Sequence, residues 1–159
     1  MAIEQQKLRQ CFGTFMTGVT VVTAVDQDGK PIGFTANSFT SVSLDPPLLL
    51  VCIDNKSDHL ETYSNGSGFM INVLADDQKD ISNRFASPID DRFDGIAWEK
   101  SKRGNPMLSG TAGYFDCSTE NIIDAGDHKI IIGRVHECDA NDKHGLGYHR
   151  GQYFTLTDE

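Results

Sequence analysis

Residues 48–53 form an uninterrupted apolar run, LLLVCI, between a proline and an aspartate. An apolar segment of this length, closed at both ends by such residues, is typical of a strand that is buried on both faces or that forms part of a barrel wall. Residues 19–25 are rich in β-branched side chains and predict another strand. The turn that follows ends in Asp28-Gly29, a pair that favours a β-hairpin, so we expect the chain to return beside this strand.

Further strands are predicted at residues 69–74, 110–119, 129–136 and 148–156. The first of these follows a glycine-rich turn at residues 65–68. Residues 120–128 form either a turn or an extension of both neighbouring strands. Residues 88–106 show no regular pattern.

Three segments predict helices. Apolar residues recur with helical spacing across residues 4–16. Asp58, with a glutamate three residues later, has the pattern of a capping box for a short helix that runs through Tyr63. Asp76 is predicted to cap a third helix, which carries Ile81 and Phe85 on one face and cannot continue past Pro88.

The order of these segments predicts the fold class. About six strands and two or three helices are expected, and strands mostly follow strands. Hairpins therefore outnumber strand–helix–strand units, which favours a mainly β fold: a small antiparallel barrel with peripheral helices. The chain has 159 residues and no linker or internal repeat, so we expect residues 1–159 to form a single domain.

The net charge of −9 argues against binding to a nucleic-acid backbone and disfavours adsorption to anionic membranes. No apolar run approaches the roughly 18 residues of a membrane span. The first residues are polar and lack the basic start and apolar stretch of a signal peptide, so we expect a cytoplasmic location.

Several common sites do not occur in the sequence. Residues 13–18 imitate the start of a phosphate-binding loop, but a valine and a threonine replace its Lys-Ser/Thr pair. The C-terminal glycines do not form a dinucleotide-binding fingerprint, and there is no G-x-S-x-G elbow. The cysteines and histidines lack zinc-site spacing, so we expect no metal.

Residues 33–43 read GFTANSFTSVS, and six of these eleven residues carry a hydroxyl or a carboxamide. Such a segment suits a ligand that needs neutral donors along an extended edge, including a phosphate. The alternative is an ordinary polar strand end and turn, because Ser, Thr and Asn commonly bond their own backbone there. Our hypothesis is that the segment binds a flavin.

Other candidate contacts lie outside this segment. His128 is either a surface turn residue or a group that faces a cavity, where it would suit a nicotinamide amide or a flavin edge. Lys56 and Ser57 follow the apolar run and are a plausible phosphate contact. Residues 148–153 combine aromatics with an arginine, and they either hold a heterocycle and a phosphate or form a charged turn. Phe85 is either a cofactor contact or a helix core residue.

Taken in order, these segments resemble the flavin reductase family with the flavin-binding split-barrel fold. The motifs are TGVTVVT at residues 17–23, GFTANSFTSVSLDPP at 33–47, KS at 56–57, FMINVL at 69–74, RFDGIAW at 92–98, GNPMLSG at 104–110, FDC at 115–117, GDH at 126–128 and YHRG at 148–151. Each motif is weak alone, whereas their order along residues 12–156 is highly specific.

The resemblance implies a homodimeric, six-stranded antiparallel Greek-key split barrel. Such a protein reduces FMN or FAD with NADH or NADPH and supplies reduced flavin to a partner monooxygenase. The resemblance associates His128 with the nicotinamide, as the catalytic residue. It assigns cofactor contacts to Thr35, Ala36, Asn37, Ser38, Ser41, Val42, Ser43, Lys56, Ser57, Asn83, Phe85, Tyr148 and Arg150, with Ser41, Ser43, Lys56 and Ser57 towards the phosphate.

The implied reaction is hydride transfer from nicotinamide C4 to flavin N5, in which the cofactors carry the chemistry and no side-chain general base is required. Backbone N–H groups of residues 35–43 would stabilise negative charge on the flavin. Two alternatives stay open: a split-barrel flavoprotein that retains its flavin and acts on an organic substrate, and a flavin-binding module without turnover.

Overall fold

Antiparallel strands make up most of the computed structural model, which describes residues 1–66 and 68–157. Ser67, in the predicted turn at residues 65–68, lies outside the described residues, as do the last two residues of the predicted domain. The described helices are α1 (Gln5–Phe12), α2 (Leu60–Asn65) and α3 (Lys79–Ala86). The described strands are β1 (Thr17–Gly18), β2 (Thr20–Val25), β3 (Pro31–Ala36), β4 (Thr40–Leu44), β5 (Pro47–Asp54), β6 (Phe69–Val73), β7 (Trp98–Lys100), β8 (Pro106–Leu108), β9 (Gly113–Ala125), β10 (His128–Ala140), β11 (Gly147–His149) and β12 (Gln152–Phe154).

The main sheet runs in the order β3-β2-β6-β9-β10-β5-β4, and each neighbouring pair is antiparallel. The predicted mainly β class with few helices is therefore confirmed. The sheet has seven strands rather than six, because part of the polar segment forms a strand itself. Thr40 pairs with Leu50 and Ser41 with Leu49, and a register shift follows before Ser43.

β9 and β10 are each 13 residues long and pair with one another along their whole length. Residues 120–128 therefore extend both strands, which decides between the two alternatives drawn from the sequence. The pairing between β6 and β9 involves only residues 113–117 of β9. The outer part of β9, residues 118–125, thus has β10 as its one strand partner within the described residues.

The predicted last strand at residues 148–156 is wrong, because the chain forms a hairpin there. β11 and β12 pair with Tyr148 opposite Tyr153, and Arg150-Gly151 form the turn. Both turn residues have positive φ, 49° and 78°, as in a type I′ turn. The region at residues 88–106, predicted to be irregular, holds β7 and the start of β8, which pair with one another.

All three predicted helices are present, but their starts differ from the predictions. The N-cap residues of α2 and α3 are His59 and Gln78, and neither makes a side-chain capping bond. The predicted caps at Asp58 and Asp76 are therefore wrong. α3 ends two residues before Pro88, in agreement with the predicted stop.

Two apolar clusters stabilise the fold. The larger cluster collects buried residues from several strands of the sheet, among them Val22 of β2, Val51 of β5 and Ile131 of β10. The smaller cluster joins α3 to the neighbouring strands through Phe85 and Phe93, whose rings meet edge to face with centroids 5.0 Å apart. α3 is thereby fixed over one end of the sheet.

α1 belongs to neither cluster, since none of its residues is buried. Phe12, at its end, and Phe15 and Met16, just after it, are 70%, 77% and 62% exposed. The predicted amphipathic helix thus exists, but its apolar side has no cover within the described chain. None of the described helices has both the length and the apolar composition that a bilayer span requires.

Replacement of Gly133 by alanine should destabilise the fold. A Cβ atom there would lie 2.6 Å from Phe69 Cζ and 3.1 Å from Cys117 Cβ, and both neighbours are fully buried. Because these side chains have no free space to move into, we expect Gly133→Ala to lower the free energy of unfolding by about 1–3 kcal/mol. Urea denaturation followed by circular dichroism measures this change.

Gly145→Ala is the matched control. The nearest atom to a Cβ at Gly145 is a backbone oxygen at 3.9 Å, so the same substitution meets no obstruction there. We expect a change within about 0.5 kcal/mol. Equal effects of the two substitutions would contradict the packing described around Gly133.

Candidate functional site

Two cavities border α3 and share Thr35 and Ala86 in their walls. The larger, of about 590 Å³, lies among β3, the end of β5, α3 and residues 88–93. The smaller, of about 200 Å³, is lined by Val19, Thr35, Asn37, Ser82, Ala86, Tyr148 and Tyr153. The larger volume falls within the range of small-molecule and cofactor sites.

Close contact between β3 and α3 shapes the wall that the two cavities share. Gly33 has no side chain, and a Cβ atom at this position would lie 2.9 Å from the ring of Phe85. Thr35 lies two residues after Gly33 in β3, and its hydroxyl donates to the backbone oxygen of Ser82 at 2.6 Å. β3 and α3 are thus held in register by packing and by a hydrogen bond.

Arg92 supports the same wall, and sequence reasoning gave it no role. Its Nη1 donates to the backbone oxygen of Gly33 at 2.7 Å, and its Nε donates to the oxygen of Ser87 at 3.0 Å. The RFDGIAW motif was the available signal, but a motif does not reveal that its arginine bonds backbone carbonyls. The guanidinium of Arg92 is therefore already engaged in positioning β3.

A pair of turns places Lys56 in the wall of the larger cavity and brings His128 next to Asp54 of the same wall. Where β10 pairs with β5, His128 lies opposite Asp54 in the strand register, and Asp54 lines this cavity. The backbone N–H of Asn55 donates to the oxygen of Asp127 at 2.9 Å. Lys56 and Ser57 follow in the same turn and also line the cavity. The structure thus brings three of the predicted site residues into two adjoining turns, and two of them line the cavity.

Asp127 fixes the orientation of His128. Nδ1 of the histidine lies 2.7 Å from Oδ1 of Asp127, so Nδ1 donates and Nε2 points elsewhere. This hydrogen bond is the main cause of a lowered pKa at the Asp127 carboxyl, and the charge of Lys56 lowers the pKa further. The GDH motif contained this aspartate, but only the structure shows its contact with the histidine.

The charges along the wall of the larger cavity are mixed. Lys56 and Arg92 supply positive charge, whereas Asp54, Asp58 and Asp90 supply negative charge. Lys56 has no hydrogen bond or ion pair from its ammonium group to the described residues. This arrangement suits a largely neutral ligand with one anionic end placed near Lys56.

Tyrosines form one side of the smaller cavity. The Tyr148 and Tyr153 rings meet with centroids 5.4 Å apart. The Tyr153 hydroxyl lies 2.7 Å from Ser82 Oγ and donates to Asn83 Oδ1 at 2.9 Å. The predicted contacts Asn37, Asn83 and Tyr148 are therefore near one another. Tyr153 was not predicted as a site residue, although its place in the aromatic segment at residues 148–153 was a signal.

Several predicted residues lie away from both cavities or are occupied by the fold. Ala36 is buried and pairs with Thr20, while the Ser38 hydroxyl accepts from the Cys52 N–H at 3.0 Å. The ring of Phe85 is fully buried in the smaller apolar cluster and borders the larger cavity. Arg150 lies in the β11–β12 turn, next to Gly13.

The four residues predicted near a phosphate are not gathered in one place. Ser41 and Ser43 pair with Leu49 and Leu48 near the start of β5, as part of the strand that also contains Val42. Lys56 and Ser57 follow the other end of β5. Five or more extended residues, on the order of 16 Å, separate the two groups along the strand.

The arrangement around α3 has the donors that a flavin or a nicotinamide would need. Hydroxyls, a carboxamide and tyrosine rings line the smaller cavity, and an unpaired ammonium lines the larger one, with His128 paired to a residue of its wall. Within the described residues, no group of three or more His, Cys, Asp or Glu side chains is placed to hold a metal ion. A heterocycle bearing a polar chain and a phosphate fits this donor set.

Comparison with known proteins gives a consistent result. The family described as flavin reductase like domain matches residues 12–157. A probable flavin reductase of Rhizobium meliloti is 56% identical over 152 residues, which are 96% of this chain and 49% of that protein. The reductase component of a flavin-dependent trigonelline monooxygenase of Acinetobacter baylyi is 54% identical, over 94% of this chain and 48% of that protein.

The chain therefore spans about half the length of these curated relatives. A solved structure matches over nearly its full length: an NADH:FAD oxidoreductase of Streptomyces globisporus, in complex with NAD and FAD fragments. It is 31% identical with a TM-score of 0.92, and the match covers 99% of this chain and 97% of that chain.

The contact between Asp127 and His128 predicts a pH effect. Because the hydrogen bond lowers the pKa of Asp127 in the folded state, His128→Ala should raise this pKa. The stabilisation from the pair is present above the unfolded-state pKa of the carboxyl and is lost as the pH falls through the folded-state pKa. Carboxyl carbon NMR of both proteins between pH 2 and pH 7 measures the titration midpoints, and an unmoved Asp127 midpoint would contradict the contact.

Proposed function

Since the chain belongs to the family of flavin reductase like domains, we propose that it transfers hydride from NADH or NADPH to FMN or FAD. The observation that carries this proposal is a cavity whose wall includes Lys56, Ser57 and Thr35 of the polar segment. His128 lies opposite Asp54, which belongs to the same wall. The nicotinamide and the flavin supply the hydride chemistry, and the protein binds and orients them.

His128 positions the nicotinamide in this proposal. Asp127 accepts from Nδ1, so Nε2 of the neutral imidazole is left as an acceptor. A nicotinamide carboxamide has an NH₂ group that such an acceptor holds. The hydrogen bond from the Asn55 N–H to the Asp127 oxygen holds the turn before His128 against the turn that carries Lys56 and Ser57, so the orientation of the histidine does not depend on the ligand.

Other side chains bind the flavin. Thr35 and Asn37 border the smaller cavity with Tyr148 and Tyr153, which offer ring edges and faces to a flat heterocycle. Lys56 and Ser57 offer an ammonium and a hydroxyl to its phosphate. Ser41, Val42 and Ser43 lie along β4, and they reach the same ligand only if it extends beside β5.

The split-barrel closure is also part of the proposal. Ser38 lies between β3 and β4, the two edge strands of the sheet, and its hydroxyl accepts from the N–H of Cys52 and donates to the oxygen of the same residue at 3.3 Å. This two-way contact joins the end of β3 to β5. It supports a sheet that curves until the polar segment meets β5.

A homodimer would cover the exposed apolar residues. Phe12, Phe15 and Met16 form one exposed group, and Leu44 on β4 is 97% exposed. Contiguous exposed apolar surface of this kind marks interaction sites. The names of relatives that are reductase components, such as that of the trigonelline monooxygenase, support a partner monooxygenase that receives the reduced flavin.

A redox assay tests the activity and separates the alternatives. We expect the protein to oxidise NADH or NADPH rapidly only when free FMN or FAD is added, measured by loss of nicotinamide absorbance. His128→Ala should lower kcat/KM for the dinucleotide about three- to tenfold, the effect of one lost hydrogen bond, with flavin affinity unchanged. His136→Ala, on the same strand but bonded to Ser118, is the control.

Two other results of this assay would favour an alternative function or overturn the role of His128. Tightly bound flavin with slow NADH oxidation would favour a flavoprotein that retains its cofactor, or a binding module without turnover. Equal rates for the wild type and His128→Ala would overturn the role of His128 while leaving the reductase activity intact.

A charge placed in the exposed apolar group should prevent dimer formation. We expect light scattering to give the mass of two chains for the wild type and of one chain for Phe15→Glu, because a buried unpaired carboxylate is strongly unfavourable. Ile123→Glu, at a 42% exposed position on β9, should leave the mass unchanged. A dimeric Phe15→Glu protein would contradict this interface.

A further inference from the structure

The larger of the two cavities that border α3 has an uneven set of charges. Its wall contains three carboxylates, Asp54, Asp58 and Asp90, and two cations, Lys56 and Arg92, so the carboxylates outnumber the cations by one. A phosphate has about the bulk of two or three water molecules, at about 30 Å³ each, and fills a minor part of the 590 Å³. The cavity therefore has room for groups beyond a phosphate, and the charges of its wall act on whatever enters.

The two cations of this wall differ in how far they are engaged by the fold. Arg92 donates from Nη1 and Nε to the backbone oxygens of Gly33 and Ser87. The ammonium of Lys56 makes no such bond to the described residues, although its charge already lowers the pKa of the nearby Asp127 carboxyl. Among the described residues of the wall, Lys56 is therefore the one cation left for a ligand.

Two of the three carboxylates are free as well. Asp58 and Asp90 are exposed, and neither carboxylate has a hydrogen-bond or ion-pair partner within the described part of the chain. Asp54 differs from them, because its Oδ1 accepts from the backbone N–H of Lys56 at 2.8 Å. Asp58 comes directly after Ser57, and Asp90 belongs to the segment that follows α3. Two separate segments thus place unpaired carboxylates in the wall that also contains Lys56.

FMN and FAD present their negative charge to such a wall in different ways. FMN ends in one phosphate, which carries a charge of about −1.5 to −2 at pH 7. FAD has a similar total charge, but it is divided between two phosphates, and the second leads on to adenosine. When the first phosphate lies at Lys56, the second phosphate of FAD extends past this cation. Like charges repel, so unpaired carboxylates in the wall oppose this second phosphate.

We propose that Asp58 and Asp90 determine flavin specificity and make this protein prefer FMN to FAD. The inference rests on the proposed function, which places the flavin phosphate at Lys56 and Ser57. FMN ends at this point, whereas FAD has to pass its second phosphate along two unpaired carboxylates, with no second free cation among the described residues of the wall. Adenosine offers hydroxyl and amine donors to the same carboxylates, and FAD binds more tightly than FMN only if these bonds outweigh the repulsion.

Isothermal titration calorimetry with riboflavin, FMN and FAD tests this preference. We expect FMN to bind more tightly than riboflavin, because Lys56 attracts its phosphate, and at least about threefold more tightly than FAD at low ionic strength. Salt screens charges over about 10 Å at 0.1 M, so the difference between FMN and FAD should shrink as salt is added. A preference that comes from the shape of the cavity alone would not respond to salt in this way.

Two substitutions remove the carboxylate charges and keep the size of the side chains. We expect Asp58→Asn and Asp90→Asn each to raise the affinity for FAD about two- to threefold at low salt, and the double variant about five- to tenfold, with a smaller gain for FMN. Because damage to the fold does not improve binding, a gain reports on the site itself. Asp142→Asn removes an exposed carboxylate outside both cavities, and it should change the ratio of the two affinities less than about 1.5-fold.

The outcomes separate this specificity from the redox activity. Tighter binding of FAD than of FMN by the wild type, or an unchanged ratio in the aspartate variants, would overturn the inference. An equal shift in Asp142→Asn would overturn it too, since the effect would then come from net charge. A wild type that oxidises NADH with added flavin but prefers FAD would keep the proposed function and lose this inference. A wild type that selects FMN through these carboxylates but oxidises neither NADH nor NADPH would keep the inference and lose the proposed function.

Discussion

The contact of the Phe85 ring with Gly33 is the constraint on which the site depends. Any side chain at Gly33 would collide with the ring, so a glycine at this point lets α3 lie directly on β3. The bond from Thr35 to the Ser82 backbone and the bonds of Arg92 then hold the same two elements together. Both cavities that border α3 exist because helix and strand meet this closely, and the polar segment becomes part of their walls.

The sequence predicted where strands lie more reliably than it predicted where each helix or strand begins and ends. The apolar run at residues 48–53 became β5, and the mainly β, antiparallel class follows from strands that succeed one another. The C-terminal hairpin was missed because its turn contains Arg150-Gly151 and lacks an Asn-Gly cue. The caps predicted at Asp58 and Asp76 failed because contacts elsewhere set the starts of both helices, such as the bond of the Ala75 N–H to Gln78 Oε1.

The sequence predicted which residue types form the site, but it did not predict which of these residues lie together in the fold. His128 and Lys56 are more than seventy residues apart along the chain, and only the register of β10 on β5 places them together. The pairing of β4 with β5 places Ser41 and Ser43 at the opposite end of β5, so residue type alone overestimated how compact a phosphate site would be. Pairing between distant strands is a tertiary property, and local sequence patterns carry little information about it.

The outer part of β9 also bears on how these molecules behave at high concentration. Residues 118–125 pair with β10 on one side and have no strand on the other within the described chain, so backbone N–H and C=O groups lie open along that edge. An open edge is a template on which a second molecule can add a strand. Glu120 and Asp124 lie on it and form ion pairs with Arg134 and Lys129 of β10, so this part of the arm carries charged side chains of both signs. Charged side chains along an open edge therefore protect the protein against edge-to-edge aggregation.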